Sequence, residues 1–301
     1  MSRTRRHPRR KRAAFAIVAA LTLAGAAGGA YASELQSQVS SNWAGYAAVT
    51  GASTGSFARH FKSVSGSWVQ PSATCVPGQP TFSAFWVGLG GYKQSSKALE
   101  QIGSEADCSS SGQVSYYAWF EYVPAGPFTI AKVTVNPGDQ ITASVTVRGA
   151  RATVTLTDQT TAATFVHTKV MRAPRPDISA AEWIAEAPSN CGQNGCTPLT
   201  LTNFGTVSFT NATATSVGID GVHTGVIDDP DWIYGAINLQ SDQRHGRLGF
   251  GHEQPSAANV GALALTGDAF TVTFGPSGAT GTTGPSGTSG STGVTGITGA
   301  T

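Results

Sequence analysis

From Ser41 to Phe274 apolar side chains recur mostly at every second position. DQITASVTV places Ile141, Ala143, Val145 and Val147 on one side of an extended strand, and RATVTLTD continues with Ala152, Val154 and Leu156. A period of two belongs to a half-buried strand, because successive side chains leave opposite faces. Gly149-Ala150 between these runs predicts a hairpin turn. AFTVTF (269–274) predicts a last strand, and helical periodicity is nearly absent. Many alternating strands parted by Gly, Pro and Asn predict an all-β fold: a β-sandwich of two packed antiparallel sheets, or a barrel.

Both ends break this pattern. Residues 1–32 run from the basic MSRTRRHPRRKR through AAFAIVAALTLAGAAGGA to a small-x-small site, which reads as an export signal with Ser33 as the new N-terminus. The apolar run is short and diluted by Ala and Gly, which argues against a membrane anchor. Residues 33–40 form a short lead-in and 41–274 the β domain. From Gly275 to Thr301 come nine uninterrupted triplets, each with Gly first and Ser or Thr third. Strict Gly at every third position suits a collagen-like triple helix, which would join three copies of the chain. The competing reading is a disordered, O-glycosylated linker.

Removing the leader changes the charge. It carries seven of the 19 Lys and Arg and none of the 17 acids, leaving 12 basic side chains and a net charge of −5, where the whole chain has +2. No basic patch suggests nucleic acid. Four cysteines in an exported chain favour disulfides. Cys191 and Cys196 enclose GQNG, so they are the local pair, leaving Cys75 with Cys108; three connectivities are possible. No paired cysteines or histidines suggest a metal, and no cofactor is expected.

Several chemical signals fail. GASTG (51–55) matches Gly-x-Ser-x-Gly, but the strand–turn–helix context is missing. DDPDW (228–232) lacks the graded spacing of a calcium loop and reads as a solvated turn. In AEWIAEAP (181–188), Glu182 and Glu186 share a strand face roughly 13 Å apart at 3.3 Å per residue. That is too far for a glycosidase pair, whose carboxyls stand about 5 to 9.5 Å apart. A single glutamate could still activate water, provided a partner steadies the oxyanion. Gln101 in LEQIG is a candidate partner.

Five motifs occur in one order: SNWAGY (41–46), FWVGLGG (85–91), LEQIG (99–103), YYAWFEYVP (116–124) and AEWIAE (181–186). In this they resemble the glutamic peptidases, or eqolisins, over residues 41–274. The resemblance implies a β-sandwich that cleaves proteins at acid pH through a Gln/Glu dyad insensitive to pepstatin. Gln101 matches the catalytic glutamine, Glu186 the catalytic glutamate, and Glu182 a non-catalytic one. Trp43, Trp86, Trp119 and Glu121 match residues lining the substrate cleft, with sheet packing as the alternative for each.

The chain also departs from that pattern. Gly90 stands where the Trp-Val-Gly motif usually carries an acid. The Cys191–Cys196 loop agrees with the family, whereas Cys75 and Cys108 do not align with the other fungal disulfide. The short lead-in before SNWAGY makes a pro-segment-dependent zymogen unexpected and, with the triplet tail, suggests a bacterial-type member. The expectation is a secreted acid endopeptidase, free or held at the cell surface, acting on protein or peptide. The rival is a surface-displayed binding module for peptide or glycan, in which the tryptophans would line a degenerate cleft.

Overall fold

The computed structural model describes residues 33–50, 59–192, 195–240 and 257–275. The expected export signal, GASTG and the triplets beyond Gly275 lie outside the described residues. The main strands are β1 (Trp43–Val49), β2 (His60–Val69), β3 (Ala84–Gly90), β4 (Leu99–Cys108), β5 (Val114–Tyr122), β6 (Gln140–Arg148) and β7 (Arg151–Asp158). They continue with β8 (Ala163–Val170), β9 (Ala180–Glu186), β10 (Thr206–Gly218), β11 (Ile233–Gln240), β12 (Ala257–Val260) and β13 (Phe270–Phe274). The described residues contain no helix.

Pairing follows two layers. One runs β5–β4–β3–β9–β1–β11. The other runs β8–β7–β6–β2–β10. All of these pairs are antiparallel. Along one edge β12 and β13 connect β11 to β10, so the layers form a sandwich with one continuous hydrogen-bonded network. The lead-in departs from the antiparallel rule, since Ser33–Glu34 and Gln38–Ser40 pair in parallel with β11. The turn at Gly149 joins β6 to β7 as the sequence predicts, with Gly149 at φ 63°.

The layers pack through one large apolar core that includes Trp68, Phe85, Ile102, Ile141, Leu156, Trp183 and Phe209. Buried indoles tie the layers together. Trp183 Nε1 donates to the Ser65 carbonyl at 2.7 Å, and Trp68 Nε1 to Ser104 Oγ at 2.9 Å. Strands β6 and β7 alternate between buried and half-exposed residues, as their sequence predicts. Strand β3 is buried throughout, and β9 is buried except at Glu186. A second, smaller apolar cluster covers their outer face; it holds Ala47, Ala84, Trp86, Leu99, Trp119, Ile184 and Ile237.

That cover depends on Gly103. A Cβ there would lie 2.1 Å from the Phe85 carbonyl oxygen and 2.6 Å from Trp86 Cβ, so β3 and β4 would have to separate. Gly103→Ala is expected to cost roughly 1–3 kcal/mol by overpacking, read as a lower denaturant midpoint. An unchanged midpoint would contradict this close approach.

Both disulfides expected from the sequence are formed, Cys75–Cys108 and Cys191–Cys196. The first pins the loop after β2 to the end of β4. The second closes the short hairpin of Ser189–Gly192 with Gly195–Pro198.

Candidate active site

Strand register arranges the polar side chains of the outer face in rows. Glu186 stands opposite Trp43 and Ala84, Ala84 opposite Glu105, and Glu105 opposite Tyr117. Four residues along β9, Glu182 stands opposite Gly88, Gly88 opposite Gln101, and Gln101 opposite Glu121. Between these rows lie Ile184, Trp86, Gly103 and Trp119. Directly opposed residues point the same way. The sheet therefore brings Gln101, Glu186, Trp43, Trp86, Trp119 and Glu121 to one face.

Glu186 is held entirely by nitrogen donors. Asn42 Nδ2 donates to its Oε1 at 2.8 Å and Trp86 Nε1 to its Oε2 at 2.8 Å. An indole N–H can only donate, so this cradle suits a carboxylate with two accepting oxygens. Burial acts the other way and pushes the Glu186 pKa up to about 7; the donors Trp86, Trp43 and Asn42 oppose it, and the negative charge of Glu121 adds to it. Among the described residues, ion pairs involve only Arg59 and His223 as cations, so no cleft acid has one.

Gln101 is buried on β4, and its Nε2 donates to Glu121 Oε2 at 2.6 Å while its Oε1 has no partner. An amide nitrogen carries two hydrogens, so one remains for another acceptor. Burial raises the Glu121 carboxyl above its ordinary value, and the Gln101 hydrogen bond partly offsets this. In a flat sheet the register sets the Cα atoms of Gln101 and Glu186 roughly 16 Å apart. No direct hydrogen bond joins them among the described residues. Trp86 spans the floor between them: its Nε1 touches Glu186, and its Cζ3 lies 2.8 Å from where a Gly88 Cβ would be, a point 3.3 Å from Gln101 Cβ. A group in contact with both side chains would lie over that indole.

Trp86 is 0% exposed and Trp119 4% exposed, so both serve chiefly as cover for the sheet, and Trp86 also serves as a donor to Glu186. Of the three tryptophans, only Trp43 is half-exposed; it packs edge-on against Trp86 with ring centres 5.1 Å apart.

Sequence reasoning missed four residues of this face. Asn42 sits inside the SNWAGY motif but received no role. Glu105 and Asp107 continue the alternation that begins at Gln101, and Tyr117 opposes Glu105. The Tyr117 hydroxyl donates to Glu105 and lies 2.8 Å from Asp107 Oδ2. Burial, then the charge of Asp107, pushes Glu105 up to about 8, and burial also raises Asp107. The even spacing of Gln101, Glu105 and Asp107 along one strand was the available signal.

Glu182 and Glu100, on opposite faces of the layer, are two more buried acids. Glu100 and Glu182 are fully buried, and none of their carboxyl oxygens has a hydrogen-bond partner. Burial, then the charge of Asp177, raises Glu100 to about 8 and Glu182 well above its ordinary value. Gly90, at φ 86°, explains the missing acid of its motif: a Cβ there would lie 2.5 Å from Asp177 Cβ. Asp177, from the loop before β9, occupies that space.

The turn 228–232 is more structured than a solvated loop. His223 Nε2 lies 2.9 Å from Asp229 Oδ2 and His223 Nδ1 3.6 Å from Asp231 Oδ2, while Arg59 pairs with Asp231. His223, Asp229 and Asp231 each bring one possible ligand atom within 4.8 Å of the others. The imidazole lies between the two carboxylates, one ring nitrogen toward each.

A like sandwich is found among known proteins. The Peptidase A4 family model matches residues 41–230, and the chain belongs to that family. Aspergillopepsin-2 of Aspergillus niger is 32% identical over 136 residues, 44% of this chain and 46% of that protein. The match thus spans about half the length of this curated relative. Scytalido-glutamic peptidase, solved with a transition state analog inhibitor, superposes with a TM-score of 0.53 at 22% identity over 78% of this chain and 98% of that one. SCP-B, an eqolisin solved with the tripeptide Ala-Ile-His, gives 0.50 at 21% identity over the same shares. At these identities the likeness is one of fold.

Proposed function

We propose that the chain is an exported glutamic endopeptidase. Glu186 takes a proton from a water, the free N–H of Gln101 steadies the carbonyl oxygen as it becomes an oxyanion, and Glu186 then protonates the leaving nitrogen. The observation that carries this reading is the Glu186 cradle: a carboxylate held only by donors, free of any cation, on the same sheet face as a glutamine with one unused N–H. The family and the two disulfides support a secreted peptidase acting on protein or peptide. The sandwich alone would equally serve a glycan- or peptide-binding module. Against that, two of the three tryptophans such a module would need are buried.

The protonation state moves the expected optimum away from acid. A free glutamate titrates near 4.3, whereas Glu186 stands at about 7. Below pH 7 the ionised base becomes about tenfold scarcer per unit. The rising limb of kcat/KM, which reports the free enzyme, is therefore expected near 7, and the optimum at or above neutral pH. Activity that peaks near pH 3 would mean that Glu186 enters the reaction already protonated.

Glu121 is assigned to orienting the Gln101 amide. Glu121→Gln is expected to lower kcat roughly tenfold with little change in KM, because the amide can then turn over. An equal loss from KM alone would place Glu121 in substrate binding instead.

A further inference from the structure

At the Glu182 end of the cleft the charge reverses. A cavity of about 390 Å³ is lined by Lys93, Lys97, Arg175, Ser96 and Asp177 among others. The three cations are exposed, and none forms an ion pair among the described residues. The cavity's only acid is already engaged: Ser96 Oγ donates to Asp177 Oδ2 at 2.5 Å and the Ser179 N–H to Oδ1 at 2.9 Å. Burial works to raise Asp177, but these bonds and the Gly91 backbone outweigh it and hold Asp177 below its ordinary value. The cavity thus keeps two uncompensated positive charges on a mature chain that is net negative.

The cavity adjoins the cleft. Its Lys93–Ala98 stretch links β3 to β4, the strands that carry Trp86 and Gln101. Tyr92 and Leu99, on either side of that stretch, pack with Trp43 and Trp86 in the outer cluster. Asp177 in turn acts electrostatically on Glu182, which shares the row of Gln101. Lys97 lies four residues from Gln101, at most about 13 Å along an extended chain. A bound peptide covers that distance in three or four residues.

We infer that this cavity is a substrate subsite for a carboxylate, that of an Asp or Glu side chain three to four residues from the bond to be cleaved. The inference rests on the peptidase reading, since carboxylates are the anions an unmodified peptide offers. Exposed charge pairs are individually weak, so three cations together imply a preference of about three- to tenfold rather than an absolute requirement.

The test uses amidated octapeptides that differ only by Glu or Gln at the third or fourth position on either side of one Phe-Ala bond. Binding to the full chain bearing Glu186→Gln is measured by calorimetry at pH 5.5, so that affinity is read whether or not cleavage occurs. Cleavage by the parent chain is measured alongside. One Glu peptide is expected to bind about three- to tenfold tighter than its Gln twin in 50 mM salt, with the gap closing in 500 mM salt as screening shortens. Lys93→Ala/Lys97→Ala/Arg175→Ala should bring the ratio to about one, and Lys97→Glu should lower it below one. Equal binding of every Glu and Gln pair, or a preference that survives the triple variant, overturns the subsite. Absence of cleavage in the parent overturns the peptidase reading separately.

Discussion

Glu186→Gln is expected to leave a folded chain that hydrolyses peptide at least ~10³-fold more slowly than the parent. In the proposed mechanism the Glu186 carboxylate takes and returns the proton, and an amide does neither. The same change tests the cradle. Asn42 and Trp86 both donate to Glu186, so the new amide must set a donor against a donor. That costs roughly 1–3 kcal/mol, visible as a modest fall in the unfolding midpoint with an unchanged circular dichroism spectrum. Gln101→Ala should also lose most activity while keeping its affinity for peptide, because the amide is needed only once the oxyanion forms.

The second large effect concerns stability. Glu100 and Glu105 are raised to about 8, Glu186 to about 7, and Glu182, Glu121 and Asp107 also upward, each with burial as its leading cause. A carboxyl with a raised pKa binds more protons folded than unfolded between about pH 4.5 and 8. Its stabilising effect is therefore complete below 4.5 and lost as pH rises through the folded value. Asp177, held low, works oppositely but alone. Calorimetry should find Tm lower at pH 8 than at pH 4.5 by on the order of 10 °C. Glu100→Gln should flatten that slope. A Tm that is flat or rises toward pH 8 would mean these carboxyls are ionised in the folded chain.

The fold was largely legible because its second layer is simple. Strands β6 and β7 have one face in the core and one toward water, and their sequence alternates accordingly. The layer that carries Gln101 and Glu186 was harder to read. Strands β3 and β9 are covered on both faces, so AFWVGLG and AAEWIAE give no clean period, and their place came from motif order. The shared face of Glu182 and Glu186 followed from strand parity, as did the choice of a lone glutamate over a carboxyl pair, whereas the place of Gln101 on that face came only from the folded register.

Other features depended on contacts distant in sequence. The Asn42–Glu186 bond joins residues 144 positions apart. The indole that fills the floor of the cleft, and Asp177 in the space beside Gly90, likewise come from strands and loops that meet only in the folded chain. Burial of Trp86 and Trp119 was open in the sequence, since an aromatic residue fits a cleft wall and a sheet cover equally well. The pKa of Glu186 also escaped the sequence, because burial and three neighbouring donors set it.

The most direct test is the pH dependence of kcat/KM on an unfolded protein substrate, with pepstatin present, for the parent and Glu186→Gln side by side. The parent is expected to cleave despite pepstatin, along a limb that rises toward pH 7, while the folded variant stays at background throughout. Cleavage by Glu186→Gln at any pH comparable to the parent would contradict the assignment of the chemistry to Glu186.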